Sequence, residues 1–235
     1  EALSLQIARP ALWWPAGQGD QPLYSVRVEL LDPAGAVLDQ WERRIGLRQI
    51  ELVREKDAAG ESFFFKVNGR PVFAKGANWI PDHSFVNECT RESYTDRLRS
   101  ATEAHMNMLR VWGGGIYEHD IFYDLCDELG LLVWQYFMFA CWLYPGAPEY
   151  CELVRAEAEH QVSRLRHHAC MALWCGNNEN RMIDVIVEEL RKDPRKLVDY
   201  ERVFHDVLPK AVAACDPVTP YWPSSPWTPA EFSPE

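Results

Sequence analysis

Ala172-Leu-Trp-Cys-Gly-Asn-Asn-Glu-Asn180 is an apolar run that stops abruptly on amides and one carboxyl group. The apolar residues direct the segment into a core as a strand. Gly176 frees the backbone to turn, and Glu179 arrives at the strand's C-terminal end. The alternative is that Asn178 and Glu179 only cap a following helix, as polar residues in strand-to-helix loops commonly do. What the other strands carry at the same end decides between the two.

Outward from this stretch, strand and helix patterns alternate. Val72-Phe-Ala-Lys-Gly76 has the composition of a buried strand, and Tyr94, Leu98 and Ala101 mark a helix starting at Thr90 or Ser93. Met106–Val111 predicts a second strand, ending in Trp112 and three glycines. The next helix shows Ile121, Phe122, Leu125 and Leu129 on one face, with Gly130 in the place of a C-terminal stop. Leu131–Gln135 is a third strand, and a helix through Leu153, Val154, Val162 and Leu165 leads to the fourth at about 171–174. Asp193-Pro194 opens a helix striped by Leu197, Tyr200, Phe204 and Leu208, and Tyr221-Trp222 begins a fifth strand. Repeated strand–helix units predict a parallel sheet, foremost that of a (β/α)8 TIM barrel, of which this length holds about half.

Residues before this region alternate as short strands instead. Leu3–Ile7, Tyr24–Leu30 and Val37–Arg44 follow that pattern, with a turn at Asp32-Pro-Ala-Gly35. They predict part of an immunoglobulin-like β-sandwich over residues 1–52, followed by the N-terminal portion of the barrel over 53–235. Trp13, Trp14 and Trp41 fit sandwich packing better than a sugar platform.

Composition narrows the chemistry. The chain has 235 residues, 47% apolar and 25% charged, and lacks an apolar run long enough to span a bilayer. With 24 basic against 35 acidic residues the net charge is −11, which repels nucleic acid. Ten tryptophans suit stacking on sugar faces, although most belong to a core. The seven cysteines contain no C-x-x-C pair and include several in apolar runs, so they are expected as free thiols, slightly favouring a reducing compartment. The chain opens on Glu1 in the manner of a mid-strand, so a natural N-terminus is not in view. The compartment stays open, cytoplasmic or periplasmic for a bacterial protein.

Reading the strand ends together brings the chemistry into focus. Strand one ends on Ala77-Asn78-Trp79, strand two on Arg110-Val-Trp112, strand three on Trp134-Gln135, and strand four on Asn177-Asn178-Glu179. Amides, a guanidinium, indoles and one carboxyl group converge on the rim where such barrels hold their catalytic groups. That set suits a neutral polyhydroxylated ligand and acid/base work. Gly113-Gly-Gly115 lacks the Lys-Ser/Thr of a phosphate loop, and His167, His168, Cys170 and Cys175 lack zinc-site spacing, so no cofactor or metal is expected. The acidic residues Glu118, Asp120, Asp124, Asp127 and Glu128 belong at a helix start or on its solvated face.

Five segments carry a family resemblance. Asn68-Gly-Arg-Pro-Val-Phe-Ala-Lys-Gly-Ala-Asn-Trp79, Asn107-Met-Leu-Arg-Val-Trp-Gly-Gly-Gly-Ile-Tyr-Glu118 and Phe122-Tyr-Asp-Leu-Cys-Asp-Glu-Leu-Gly130 are three of them. Leu173-Trp-Cys-Gly-Asn-Asn-Glu179 and Pro220-Tyr-Trp-Pro-Ser-Ser-Pro226 complete the set. In this order, across nearly the whole chain, they resemble the β-mannosidases of glycoside hydrolase family 2. The resemblance implies a sandwich domain before a TIM barrel, and retaining removal of terminal non-reducing β-D-mannose from an oligosaccharide. It implies Glu179 as acid/base, Asn178 on the sugar's 2-hydroxyl, Arg110 steadying the nucleophile, and Trp112 lining the pocket. Asn78, Trp79 and Trp134 are further wall candidates.

Alternatives on the same fold are a β-galactosidase, a β-glucuronidase, an exo-β-glucosaminidase, or a non-catalytic carbohydrate-binding homologue. The chain departs from the family pattern at Tyr136, where Trp-Gln-Asp is expected, at His168 in place of Pro, and at Arg181 in place of a second Glu. The family's nucleophile ends strand seven. At roughly 30 residues per barrel unit, that position is expected beyond Glu235, so the chain on its own is expected to be inactive.

Overall fold

A parallel sheet of five strands organises the computed structural model, which describes residues 4–182 and 184–228. Its strands are β6 (Gly76–Trp79), β7 (Met108–Val111), β8 (Leu132–Tyr136), β9 (Met171–Cys175) and β10 (Tyr221–Trp222). They lie side by side in chain order. Helices α1 (Arg91–Glu103), α2 (Asp120–Leu129) and α3 (Pro148–Leu165) fill the first three crossovers. After β9 come α4 (Asp184–Lys192), α5 (Arg195–Glu201) and α6 (Leu208–Cys215). Adjacent parallel strands joined through helices are the wall of a (β/α)8 barrel, here its first five strands.

Ahead of the wall, β1 (Tyr24–Leu31) and β2 (Val37–Ile45) form an antiparallel hairpin, the part of the sandwich that the described residues contain. Then β3 (Ile50–Val53), β4 (Phe64–Val67) and β5 (Arg70–Val72) make a small antiparallel sheet. Its β3 runs across the expected junction at residue 52.

The wall separates two apolar clusters, because alternate strand residues face opposite ways, with the alternation broken in β9 where its register against β8 shifts by one residue. Leu109, Val111, Val133, Met171 and Trp174 pack outward against Tyr94, Phe122, Val162 and Phe204 of the helices. Met108, Leu132, Ala172, Leu173 and Trp222 face inward, where Ile50, Phe65, Val67 and Val72 of the small sheet form a floor with Trp13. Trp13 is fully buried and its Nε1 donates to Asp127 O at 2.8 Å, so it packs the barrel floor rather than the hairpin. Trp14 lies under the Arg70 guanidinium and Trp41 stays exposed.

Local signals placed most boundaries. The Thr90 hydroxyl accepts from Ser93 N and the Ser93 hydroxyl accepts from Thr90 N, closing a capping box at α1. Gly130 follows α2 at φ +73, a conformation that favours glycine.

Four expectations are corrected. The first wall strand is Gly76–Trp79 rather than 72–76: Phe73 is 83% exposed, and Asn107 ties residues 73–75 into a loop. Its side chain accepts from Lys75 N at 2.8 Å and donates to Phe73 O at 3.1 Å. Residues 4–7 form no strand, while 1–3 lie outside the described residues. Leu153 is 69% exposed, and the buried stripe of α3 is Cys151, Val154, Ala158, Val162 and Leu165. The helix after Asp193 is interrupted by a π-helical turn at Arg202–Val207, just before Pro209, which has no N–H to donate.

Two acidic residues expected at a helix start or on its solvated face, Glu118 and Asp127, are instead buried. Asp127 is 2% exposed, with Oδ2 at 2.7 Å from His168 Nδ1 and Oδ1 accepting Cys170 N–H at 2.7 Å. Asp127, His168 and Cys170 bring metal-ligand atoms within 4.8 Å of one another. However, both carboxylate oxygens are engaged by the protein, and burial pushes the Cys170 thiol far above its ordinary pKa. The cluster is a hydrogen-bonded clamp joining α2 to the entry of β9, with Asp127 at its centre and His168 as one of its two partners. All seven cysteines are free thiols. Among the described residues no helix is long and apolar enough to cross a membrane.

Replacing Asp127 by Ala strands the partners of two buried hydrogen bonds. Each orphaned group costs about 1–3 kcal/mol, so Asp127→Ala is expected to destabilise the fold by about 2–6 kcal/mol, with Asp127→Asn costing less. Urea unfolding of the variants measures both.

Candidate active site

Arg110 stands at the C-terminal end of β7, with its side chain on the inner face of the wall. The register places it between Asn78 of β6 and Trp134 of β8. Its Nη1 donates to Asn78 Oδ1 at 3.0 Å, and Nε and Nη2 donate to the Tyr136 hydroxyl at 3.1 and 2.9 Å. Nη2 also donates to Asn178 Oδ1 at 2.5 Å. One guanidinium therefore ties together the ends of β6, β8 and β9. Every acceptor is neutral, and among the described residues Arg110 has no carboxylate partner.

Tyr136, which departs from the family pattern, belongs to this network although the sequence alone does not place it there. It is fully buried, and its ring lies 4.5 Å beneath the guanidinium carbon and 6.3 Å from Trp134 at 7°. Burial pushes its phenol well above the ordinary pKa, against the opposing pull of Arg110. The hydroxyl is thus un-ionised near neutrality, and the charge of Arg110 is oriented without being cancelled. The signal available in the sequence was parity: Tyr136 is two residues after Trp134 on one strand, hence on the same face.

The Gly-Asn-Asn-Glu segment continues β9 between two loops. Asn178 N donates to Phe139 O at 2.9 Å and Cys141 N donates to Asn178 O at 2.8 Å on one side. On the other, Glu179 N donates to Ser225 O at 3.1 Å and Ser225 N donates to Asn177 O at 3.0 Å. The Asn177 amide also bonds the Ser224 hydroxyl and Pro223 O, locking β9 to the segment after β10.

Glu179 takes φ +60, a left-handed conformation costly for a residue with a Cβ. This backbone turns the carboxyl group out of the strand line to a half-buried position on the rim. There Oε2 lies 3.9 Å from Cys141 Sγ, and Asn178 Nδ2 lies 3.4 Å from the same sulfur. Helix α4 starts five residues later at Asp184, so Glu179 is not its cap. Cys141 reaches the site on a loop, with no spacing in the sequence to announce it.

The remaining candidates divide. Trp112 follows β7 on the inner parity of Arg110, half-buried, and its indole lies over Gly114. A Cβ on Gly114 would sit 2.0 Å from that ring, so the glycine lets Trp112 fold back. Trp134 faces inward with Phe63, Trp222 and Trp227 around an open cavity of roughly 500 Å³. Trp79 is a correction. It sits on the outer face, 4.8 Å from the Phe122 ring, and its Nε1 donates to Glu118 Oε1 at 2.9 Å. Glu118 also accepts from the Tyr94 hydroxyl and is 2% exposed, so it anchors the helices to β6 rather than facing solvent. Strand parity separates Asn78, facing in, from Trp79, facing out.

Comparison with known proteins gives this arrangement a family. The model of glycosyl hydrolases family 2 matches residues 1–48. Over 240 residues the chain is 42% identical to "Beta-mannosidase B" of Thermothelomyces thermophilus, covering 96% of this chain and 27% of that protein. The protein of the same name from Emericella nidulans is 39% identical over 232 residues, again covering 27% of the relative. The crystal structure of the β-D-mannosidase from Dictyoglomus thermophilum matches with a TM-score of 0.85 and 48% identity, over 97% of this chain and 28% of that one. The β-glucuronidase of Bacteroides uniformis, at 20% identity and a TM-score of 0.72, shares the fold alone.

The chain belongs to glycosyl hydrolase family 2. Within that family it corresponds to a segment of the β-mannosidases, spanning a little over a quarter of their length.

The Tyr136 hydroxyl accepts two Arg110 hydrogen bonds, so Tyr136→Phe leaves half-buried charged donors short of a partner. The expected loss is about 1–3 kcal/mol, and more for Tyr136→Ala, which also removes the ring beneath the guanidinium. Thermal melting of the pair checks the order.

Proposed function

We propose that this segment supplies the acid/base half of a retaining exo-β-mannosidase acting on terminal non-reducing β-D-mannose. The observation that carries the reading is Glu179. A strained, left-handed backbone delivers its carboxyl group beside Asn178 at the end of a buried strand, where the Arg110 network fixes its neighbour. Identity of 48% to a β-D-mannosidase of known structure supports the sugar.

In this mechanism Glu179 protonates the glycosidic oxygen as the bond to the anomeric carbon breaks. The carboxylate left behind then takes a proton from the water that releases the sugar. Asn178 Oδ1 is held by Arg110, which orients the amide so that an N–H is offered to the 2-hydroxyl. The unneutralised Arg110 steadies a second carboxylate, the nucleophile, about 5–5.5 Å from Glu179. That carboxylate is assigned to the remainder of a full-length protein. Trp112 and Trp134 form walls for the sugar ring, with Asn78 at the open edge. Trp79 has no part in the pocket.

The test is Glu179→Ala in a full-length protein carrying this segment. Cleavage of mannobiose, which has a poor leaving group, is expected to fall by roughly 10²–10⁴-fold. Activated aryl β-mannosides are expected to lose less in the glycosylation step, and azide is expected to restore their turnover. Equal losses on both substrates without azide rescue would remove Glu179 from the chemistry.

A further inference from the structure

The loop after β8 passes the carboxyl group of Glu179 and then turns outward. Cys141, at φ +54, holds its sulfur 3.9 Å from Glu179 Oε2, and its backbone N–H is bonded to Asn178 O. The next side chain is Trp142. It is 57% exposed and makes no hydrogen bond or ring contact among the described residues. Its indole face is therefore free to receive a ligand.

Trp142 and Tyr144 form one side of an open cavity of roughly 680 Å³. The opposite side comes from the end of α4 and the start of α5, so both walls belong to the segments that follow β8 and β9. These are the strands that carry Tyr136 and Glu179. Across from Trp142, Lys196 Nζ pairs with Glu189 at 2.7 Å and Arg195 Nε pairs with Asp193 at 2.9 Å, while the Asp199 carboxylate completes the wall. Such a wall has most of its charge paired and one carboxylate in excess, so it offers acceptors to hydroxyl groups and repels an anion. With an exposed aromatic face opposite, it suits a neutral polyhydroxylated ligand rather than an ion.

The direction of the reaction selects the ligand. An acid catalyst protonates the oxygen that departs, so the leaving group extends from the Glu179 carboxyl group away from the pocket of the cleaved sugar. Cys141 touches that carboxyl group and Trp142 follows it. We infer that Trp142 is the stacking platform for the leaving-group saccharide, and that the cavity it lines gives the protein its preference for oligosaccharides over simple glycosides. The inference rests on Glu179 being the acid/base.

Wild-type, Trp142→Ala and Trp142→Phe forms of the full-length protein are compared on β-linked mannotriose and on methyl β-mannoside, whose leaving group is too small to reach the platform. The ratio of kcat/KM values, mannotriose over methyl mannoside, is expected to fall roughly tenfold in Trp142→Ala, mainly through KM, and to recover largely in Trp142→Phe. A ratio unchanged in Trp142→Ala, or not recovered by Phe, would overturn the platform while leaving the mannosidase reading intact. A wild-type protein that cleaves neither substrate would overturn both.

Discussion

A single guanidinium holds the rim of this protein together. Arg110 reaches Asn78, Tyr136 and Asn178, side chains from three other strands or their immediate extensions, and each contact depends on the register of the parallel wall. Slipping β7 by one residue would turn Arg110 into the helix layer and bring Val111 to the rim. The strand order and register are therefore conditions for the site. A charge with only neutral acceptors is also an unusual thing to hold at a half-buried position, since it retains its attraction for an anion. That retained attraction suits the proposed role of Arg110, keeping a second carboxylate ionised and oriented.

The rest of the fold holds Arg110 and Glu179 in place from two sides. Outside, Gln135 accepts from the Tyr123 hydroxyl at 2.7 Å, and Trp174 Nε1 donates to Asp216 at 3.0 Å, pinning β8 and β9 to the helix layer. Inside, the small sheet and Trp13 close the floor. The half-buried Arg48 donates to the carbonyls of Ala169 and Met171 at 3.1 and 2.6 Å, fixing the entry of β9. Burial lowers the pKa of that guanidinium. The strain at Glu179 is borne by this frame, through the backbone hydrogen bonds that flank it on both sides.

Much of this was legible in the sequence, for reasons that can be named. Apolar periodicity gave the helices, and Thr90 and Gly130 gave their ends, because those signals are local. The rim residues were legible because strand ends in such barrels share one face. What escaped was non-local. Trp79 and Asn78 are adjacent letters, and only the register of β6 against β7 shows that one faces the helices and the other the pocket. Glu118 and Asp127 resemble solvated helix charges until the partners that bury them, Tyr94 and Trp79 for one and His168 for the other, are brought from distant segments. Tyr136 was visible as an anomaly, but its role depends on a guanidinium 26 residues away. Cys141 and Trp142 lie on a loop whose path no periodicity encodes.

The central claim is that Glu179 addresses the glycosidic oxygen while Asn178, oriented by Arg110, holds the sugar beside it. A crystal structure of the full-length Glu179→Gln variant with bound mannobiose tests this most directly. The account predicts that the side-chain amide of residue 179 lies within hydrogen-bond distance, about 2.6–3.2 Å, of the bridging oxygen, with the Asn178 amide on the 2-hydroxyl of the terminal mannose. A sugar bound elsewhere on the barrel, or seated in this cleft with residue 179 turned away from the bridging oxygen, would contradict it.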